Sequence, residues 1–216
     1  MIRILLIFAV LMISSLCATA QTIAEGTYVI RSSVNQNFVI DLDCGRTTNG
    51  SLVHLWTYYG SRNQLWCVKH NQGAIVIQSA VDPNYVVDLA SINAKDGGTI
   101  HLWAFHGGNN QRWFPQYDNG AYILRSADNQ NFVIDLDAGR AIDDGLIHLW
   151  TYYKGANNQK WIFQRVDDPN SSSSSGHKPE FHSIVCPVCG GGGTIPYRNY
   201  ATCPSCGGVG VLTSYQ

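Results

Sequence analysis

The 216-residue sequence predicts an all-β protein whose main domain consists of three copies of one four-stranded unit. Three observations lead to this fold class. A segment of 47 residues recurs, with copies beginning at Gly26, Gly73 and Gly120. Its apolar runs are short, rich in β-branched and aromatic residues, and bounded by Gly, Asn and Asp. No stretch after residue 20 has the sustained 3.6-residue period of a long helix.

Each unit contains four predicted strands, which the first unit illustrates. Its apolar runs are Tyr28–Ile30, Phe38–Ile40, Val53–Trp56 and Leu65–Val68. One such unit cannot bury its apolar face alone, whereas three units can share a core. Twelve antiparallel strands with approximate threefold symmetry are typical of a β-trefoil. A β-propeller is the competing architecture, but three blades are fewer than propellers use.

The same polar and aromatic residues recur at fixed places in every unit. An aspartate lies fifteen residues after each first glycine, and the tryptophan of a His-Leu-Trp segment lies fifteen residues further on. Each unit closes with Asn-Gln-x-Trp, and the third unit has one extra residue before this segment. In unit order, the recurring residues are Asp41, His54, Trp56, Asn63, Gln64 and Trp66; Asp88, His101, Trp103, Asn110, Gln111 and Trp113; and Asp135, His148, Trp150, Asn158, Gln159 and Trp161.

This pattern resembles the ricin B-type (R-type) lectin family over residues 24–167. The resemblance implies a β-trefoil that binds galactose-type or other sugars at up to three sites without converting them. It implies that in each unit the aspartate, the histidine position, the tryptophan after it, the asparagine and the glutamine form the carbohydrate site. The glutamine would support the aspartate or the turn, and the closing tryptophan would pack in the core. The family also serves as a targeting module on hydrolases and toxins.

The chemistry of these residue types suits a sugar. A carboxylate accepts hydroxyl protons, an amide donates and accepts, and an aromatic ring covers the apolar face of a saccharide. The strand period of two predicts that His54 and Trp56 point outward together, with Val53 and Leu55 inward. A purely structural interpretation makes the tryptophan a core residue and the aspartate a turn cap.

Histidine stands where many relatives have an amide, which raises a specific hypothesis. Sugar binding would weaken as the pH falls through the histidine range, near pH 6.5 for an unperturbed side chain. The alternative is that histidine only replaces one hydrogen-bonding side chain by another. The loop aromatics Tyr58, Tyr59, Phe105, His106, Tyr152 and Tyr153 differ between units and would make the three pockets unequal or serve as the platform themselves.

Composition and motifs exclude several function classes. The net charge of −1 gives no field that would recruit nucleic acid, and charged residues make up 13% against roughly 25% in an ordinary domain. We find neither G-x-S-x-G nor H-E-x-x-H, so the sequence predicts no enzyme. Two alternatives to a lectin stay open: a trefoil that binds proteins, as inhibitor or scaffold, and the targeting subunit of a partner enzyme.

The first twenty residues predict a signal peptide and a secreted, extracellular protein. Arg3 precedes the apolar stretch Ile4–Ile13, and Ala18-Thr19-Ala20 matches a cleavage site. The apolar stretch is shorter than the ~20 residues of a membrane span, so no span is expected after cleavage, with an uncleaved anchor as the alternative. N-glycosylation acceptors begin at Asn49 and Asn170.

The C-terminal part predicts a small metal module. A Ser-rich linker covers 168–183, and two C-x-x-C pairs lie within 184–212, at Cys186, Cys189, Cys203 and Cys206. This spacing is typical of one tetrahedral zinc site with four cysteine ligands. The segment resembles one zinc centre of the DnaJ-type cysteine-rich region, which implies a metal site and a surface for a protein partner rather than chaperone activity. Two disulfides are the alternative in an oxidising compartment, and a Cys44–Cys67 bridge is a separate alternative in the first unit.

Overall fold

The computed structural model describes residues 22–166 and four short strands nearer the C-terminus. The predicted signal peptide lies outside the described residues, and so do Asn170 and the four cysteines of the predicted zinc site. Within the described part of the chain, no helix is long and apolar enough to cross a membrane.

The twelve predicted strands of the main domain are confirmed, four in each unit. They are β1 (Gly26–Ser32), β2 (Phe38–Leu42), β3 (Ser51–Thr57) and β4 (Trp66–Asn71); β5 (Ala74–Ser79), β6 (Tyr85–Leu89), β7 (Gly98–Ala104) and β8 (Trp113–Asp118); and β9 (Ala121–Ser126), β10 (Phe132–Leu136), β11 (Gly145–Thr151) and β12 (Trp161–Arg165). The fourth strand of each unit begins at the closing tryptophan because the Asn-Gln segment before it forms a single 3₁₀ turn, as at Arg62–Gln64.

The pairing of the strands is that of a β-trefoil. The first and fourth strands of all units form a closed ring in the order β1, β4, β5, β8, β9, β12 and back to β1. The second and third strands of each unit form a hairpin, and β3, β7 and β11 pair with one another around the pseudo-threefold axis. Strands of different units are therefore hydrogen-bonded, which separate propeller blades would not be.

The three closing tryptophans lie in the centre of the core, as predicted. Trp66, Trp113 and Trp161 are fully buried. Each indole N–H donates to the carbonyl of the second strand of its own unit, at 2.9, 3.3 and 3.1 Å for Ile40, Val87 and Ile134 in turn. A buried tryptophan contributes a large apolar area and needs such a partner for its nitrogen. These residues therefore anchor each hairpin to the barrel.

The units are also joined by the turn that precedes the third strand of each. Asn49 Oδ1 accepts from the backbone N–H of Ala104 in the second unit at 2.8 Å. Asp96 of the second unit accepts from the backbone N–H and hydroxyl of Thr151 in the third, at 2.6 and 2.7 Å. Asp143 of the third unit accepts from the same two groups of Thr57 in the first, at 2.7 and 2.8 Å. The contacts close a cycle that fixes the three hairpins relative to one another.

The cysteine alternative in the first unit is not realised. The structure does not join Cys44 to Cys67 by a disulfide, and Cys44 lies buried in a turn with a φ of 54°.

The C-terminal strands form two antiparallel pairs. β13 (Phe181–Val185) pairs with β16 (Val211–Tyr215), and β14 (Thr194–Ile195) pairs with β15 (Ala201–Thr202). β13 begins inside the segment predicted as a linker.

Candidate functional site

The predicted site residues of each unit come together on its hairpin. In the first unit, Asp41 of β2 is the register partner of His54 on β3, and Val39 is the partner of Trp56. Directly paired residues of antiparallel strands share a face, so Asp41 lies beside the His54 ring. The 3₁₀ turn then brings Asn63 onto the same carboxylate. The equivalent residues of the second and third units have the same register.

The aspartate is the buried centre of each site. Asp41, Asp88 and Asp135 are 2%, 2% and 3% exposed. One carboxylate oxygen lies 3.3, 2.9 and 3.1 Å from the histidine Nε2 of the same unit. The asparagine Nδ2 of the unit donates to the carboxylate at 3.0, 2.9 and 2.9 Å. A buried carboxylate is costly unless such donors satisfy it, so histidine and asparagine hold it in place.

In the first unit, the histidine bridges two carboxylates. His54 contacts Asp41 through Nε2 and Asp144 of the third unit through Nδ1, at 3.1 Å. Burial alone lowers the pKa of His54, but the hydrogen bond and charge of Asp41, with the charges of Asp43 and Asp144, raise it overall. Burial raises the pKa of Asp41 despite His54 beside it. Because both ring nitrogens face carboxylate oxygens, the arrangement favours a protonated imidazole that donates from each nitrogen.

The histidine and the tryptophan after it pack ring against ring, stacked in the second and third units and tilted by 41° in the first. Their ring centroids are 5.3, 5.1 and 5.0 Å apart in the three units. The shared face was predicted, but the outward position of the histidine is wrong, since His54 and His148 are only 3% and 7% exposed. The tryptophan covers the histidine and keeps its own outer face open, most of all Trp103 at 37%. The histidine therefore supports both the carboxylate and the aromatic platform.

The glutamines are buried and hold the loop that follows the third strand. Gln64 Oε1 accepts from the backbone N–H of Tyr59 at 2.9 Å, and its Nε2 donates to the carbonyl of Thr57. Gln111 and Gln159 make the equivalent bonds, and Gln159 Nε2 also donates to Asp135 at 2.8 Å. These contacts match the supporting role that the resemblance implies.

The third unit has an open cleft over these residues. Its volume is about 330 Å³. Its walls are formed by Asp135, Asp137, Ala138, His148, Trp150, Tyr153, Asn158 and Gln159. All five predicted residues of the third unit are in this set.

Asp137 and Ala138 of the cleft were missed at the level of sequence, whereas Tyr153 was among the loop aromatics that the sequence singled out. The signal for the first two was the Asp-x-Gly turn directly after the second strand, Asp137–Gly139, in which Ala138 and Gly139 have left-handed φ angles of 50° and 64°. The first unit has the same turn at Asp43–Gly45. In the second unit, the structure has no 3₁₀ turn at the equivalent position, Ala90–Ile92.

Asn49 is exposed in the turn before β3, as a glycosylation acceptor must be. Only its Oδ1 is used in the contact with the second unit, so the amide nitrogen remains available.

Among the residues that the structure describes, no group of three or more His, Cys, Asp and Glu side chains is arranged to hold a metal ion.

Comparison with known proteins agrees with the fold and the repeat. The model of the ricin-type β-trefoil lectin domain matches residues 26–161. No curated protein matches the chain. Among solved structures, the Rhizoctonia solani agglutinin is similar with a TM-score of 0.60 and 20% identity, over 67% of this chain and 98% of that one.

Two further structures are similar over one part of a longer chain. The Polyporus squamosus lectin, bound to Neu5Acα2-6Galβ1-4GlcNAc, has a TM-score of 0.56 and 22% identity, over 67% of this chain and 50% of that one. An exo-β-1,3-galactanase from Clostridium thermocellum has a TM-score of 0.60 and 25% identity, over 65% of this chain and 30% of that one.

Proposed function

The chain belongs to the ricin-type β-trefoil lectin domain family, and on that premise we propose that it is a secreted, non-catalytic lectin that binds galactose-type sugars. The observation that carries the proposal is the cleft of the third unit. There a buried carboxylate, a half-buried amide and the open face of a tryptophan line one cavity of about 330 Å³.

The polar wall of this cleft is prepared for hydroxyl groups. His148, Asn158 and Gln159 hold the carboxylate of Asp135 through donors at 3.1, 2.9 and 2.8 Å. Fixed donors and acceptors lose little freedom when a ligand arrives. The carboxylate would accept from a sugar hydroxyl in a charge-assisted bond, and the Asn158 Oδ1 would accept from a second hydroxyl.

The aromatic wall suits the apolar face of a sugar ring. Trp150 is stacked on His148 at a centroid distance of 5.0 Å, so its orientation is fixed from behind. Tyr153 is 59% exposed at the rim and extends the aromatic surface. Rigid aromatic rings give contact area at a small entropic cost. Several weak sites on one chain would increase its avidity for clustered glycans.

Secretion and glycosylation are part of the proposal. The N-terminal signal pattern supports secretion, and the exposed amide of Asn49 supports glycosylation there; Asn170 lies outside the described residues. Glycosylation of Asn49 would add mass to the wild-type protein, which an N-glycosidase removes and which Asn49→Gln lacks. If Asn49→Gln carries the same N-glycosidase-sensitive mass as the wild type, Asn49 is not the acceptor.

We also propose that Cys186, Cys189, Cys203 and Cys206 hold one zinc ion. Four thiolates in two C-x-x-C pairs are a donor set that fits tetrahedral zinc. The two pairs lie in the sequence between β13 and β16, whose residues Val185 and Val211 are register partners. A bound zinc ion would cross-link a segment too short to have its own core and would leave its surface for a protein partner. One equivalent of zinc in the purified full chain supports this, and metal-free, fully oxidised cysteines would contradict it.

A glycan array with the full chain tests the lectin proposal. We expect retention on glycans with terminal galactose-type sugars, and loss in a variant with Asp41, Asp88 and Asp135 all changed to Asn. All six tryptophans lie in the three units, so their fluorescence verifies that the variant is folded. Retention on no glycan would refute the proposal, and a protein partner still bound by the variant would favour the protein-binding trefoil.

A second function, the targeting subunit of a partner enzyme, is favoured by one observation. The galactanase contains a similar domain as less than a third of its chain. Co-purification of a glycoside hydrolase with the full chain would support this second function.

A further inference from the structure

The asparagine carbonyl of each site has a different environment in the three units. In the first unit, the Tyr59 hydroxyl donates to Asn63 Oδ1 at 3.2 Å and accepts from Asn63 Nδ2 at 2.9 Å. In the second unit, Asn110 Oδ1 is buried and has no hydrogen-bond partner. In the third unit, Asn158 lines the open cleft. The asparagine Oδ1 is thus capped by Tyr59 in the first unit, has no donor in the second unit, and belongs to a residue that lines the open cleft in the third unit.

Tyr59 and Tyr153 occupy the same position in the repeat but take different orientations. Their backbone N–H groups are held alike, by Gln64 Oε1 at 2.9 Å and Gln159 Oε1 at 2.8 Å. The Tyr59 side chain turns inward to Asn63, whereas Tyr153 is 59% exposed. The loop after Tyr153 is one residue longer than the loop after Tyr59. The added residue widens the third loop and leaves Tyr153 at the rim.

The Tyr59 hydroxyl has the chemistry of a sugar hydroxyl. Like a sugar hydroxyl, it can donate and accept hydrogen bonds through one oxygen, and it contacts the side-chain amide of Asn63, which in the proposed site would bind a sugar. A sugar that enters the first site must therefore displace the Tyr59 hydroxyl from Asn63 before it forms its own hydrogen bonds there. The third site requires no such displacement, because Tyr153 does not cover Asn158.

We propose that Tyr59 is an internal ligand that closes the first site, so that sugars occupy the third site at lower concentrations. This inference rests on the proposed lectin function and identifies Tyr59 as the residue that determines the difference between the two sites. The rest of the first site is intact, because the Asp41 carboxylate still accepts from Asn63 and Trp56 stays partly exposed.

One arm of the test needs no sugar. In the ¹⁵N-labelled full chain, the side-chain amide of Asn63 should exchange with solvent more slowly than that of Asn158. Tyr59→Phe removes only the hydroxyl and should accelerate exchange at Asn63. The matched variant Tyr153→Phe should leave exchange at Asn158 unchanged. If exchange at Asn63 is the same with and without the Tyr59 hydroxyl, the internal ligand does not exist and the inference is wrong.

The second arm follows binding at each site. A titration with lactose, or with the best glycan of the array, should shift the Asn158 amide signals at concentrations about tenfold below those that shift Asn63, the cost of about one hydrogen bond. Tyr59→Ala should bring the two midpoints together. Equal midpoints in the wild type would overturn the inference and leave the lectin function standing. If no glycan shifts either signal, the lectin proposal fails, and the exchange arm still decides whether Tyr59 caps Asn63.

Discussion

The cycle of turns between units predicts a graded loss of stability. Asp96 accepts two hydrogen bonds from Thr151, whereas Asn49 accepts one from Ala104. A bond to a charged acceptor contributes about 1.5–3 kcal/mol and a neutral one about 0.5–1.5 kcal/mol. Because these groups are exposed to solvent, we expect Asp96→Ala to lower the free energy of unfolding by about 1–2 kcal/mol and Asn49→Ala by about half as much.

Urea unfolding of the full chain, followed by tryptophan fluorescence, measures this directly. All six tryptophans lie between Trp56 and Trp161, so the signal reports only the three-unit domain. Asp137→Ala is the charge-matched control, because Asp137 pairs only with Arg140 three residues away in its own turn. Its effect should stay within about 0.5 kcal/mol, as for other surface ion pairs. If Asp96→Ala costs no more than this control, or less than Asn49→Ala, the turns do not hold the units together as described.

Three further predictions concern the sites themselves. The pKa of His54 is raised in the folded protein, so its contribution to stability is present below about pH 6.5 and is lost as the pH rises through the folded pKa. The free energy of unfolding should therefore fall as the pH rises above 6.5, and it should fall less in His54→Gln. The raised pKa of Asp41 acts in the same direction, but its window begins at the unfolded value of 3.8. A wild-type stability that rises with pH above about pH 6.5 would contradict the assignment for His54. Trp150→Ala should leave the free energy of unfolding nearly unchanged and weaken sugar binding at least tenfold by calorimetry. Trp161→Ala should lower the free energy of unfolding by about 3–5 kcal/mol. Equal effects of the two variants on the free energy of unfolding would contradict their separate roles. The hypothesis that histidine makes sugar binding pH-dependent predicts weaker binding by the wild type at pH 5.5 than at pH 7.5. His148→Gln should remove this difference, and equal wild-type affinities at the two pH values would contradict the hypothesis.

The sequence predicted the architecture because the repeat encodes it locally. The short apolar runs and the closing tryptophans recur in every unit, and a core common to three units needs them in all three. The convergence of Asp41, His54 and Asn63 was also predictable, since strand register brings the first two together and the Asn-Gln segment follows on the same hairpin.

The rest depends on contacts between units and on the length of one loop. Asp144 reaches His54 across ninety residues, and a unit considered alone does not reveal that contact. His54 and His148 are buried under their tryptophans because the carboxylate beneath them needs a donor, which the alternation of a strand does not show. Tyr59 and Tyr153 are identical in type and position in the repeat, yet one lies inward and one outward.

Calorimetric titration of the full chain with its best glycan tests the central claim most directly. The variants Asp135→Asn and Asp41→Asn change equivalent buried carboxylates, one that lines the open cleft and one beside Asn63, which the Tyr59 hydroxyl caps. We predict that Asp135→Asn lowers the affinity at least tenfold, equivalent to about one charge-assisted hydrogen bond, while Asp41→Asn binds like the wild type. Undiminished binding by a folded Asp135→Asn variant would contradict the assignment of the third unit as the sugar site.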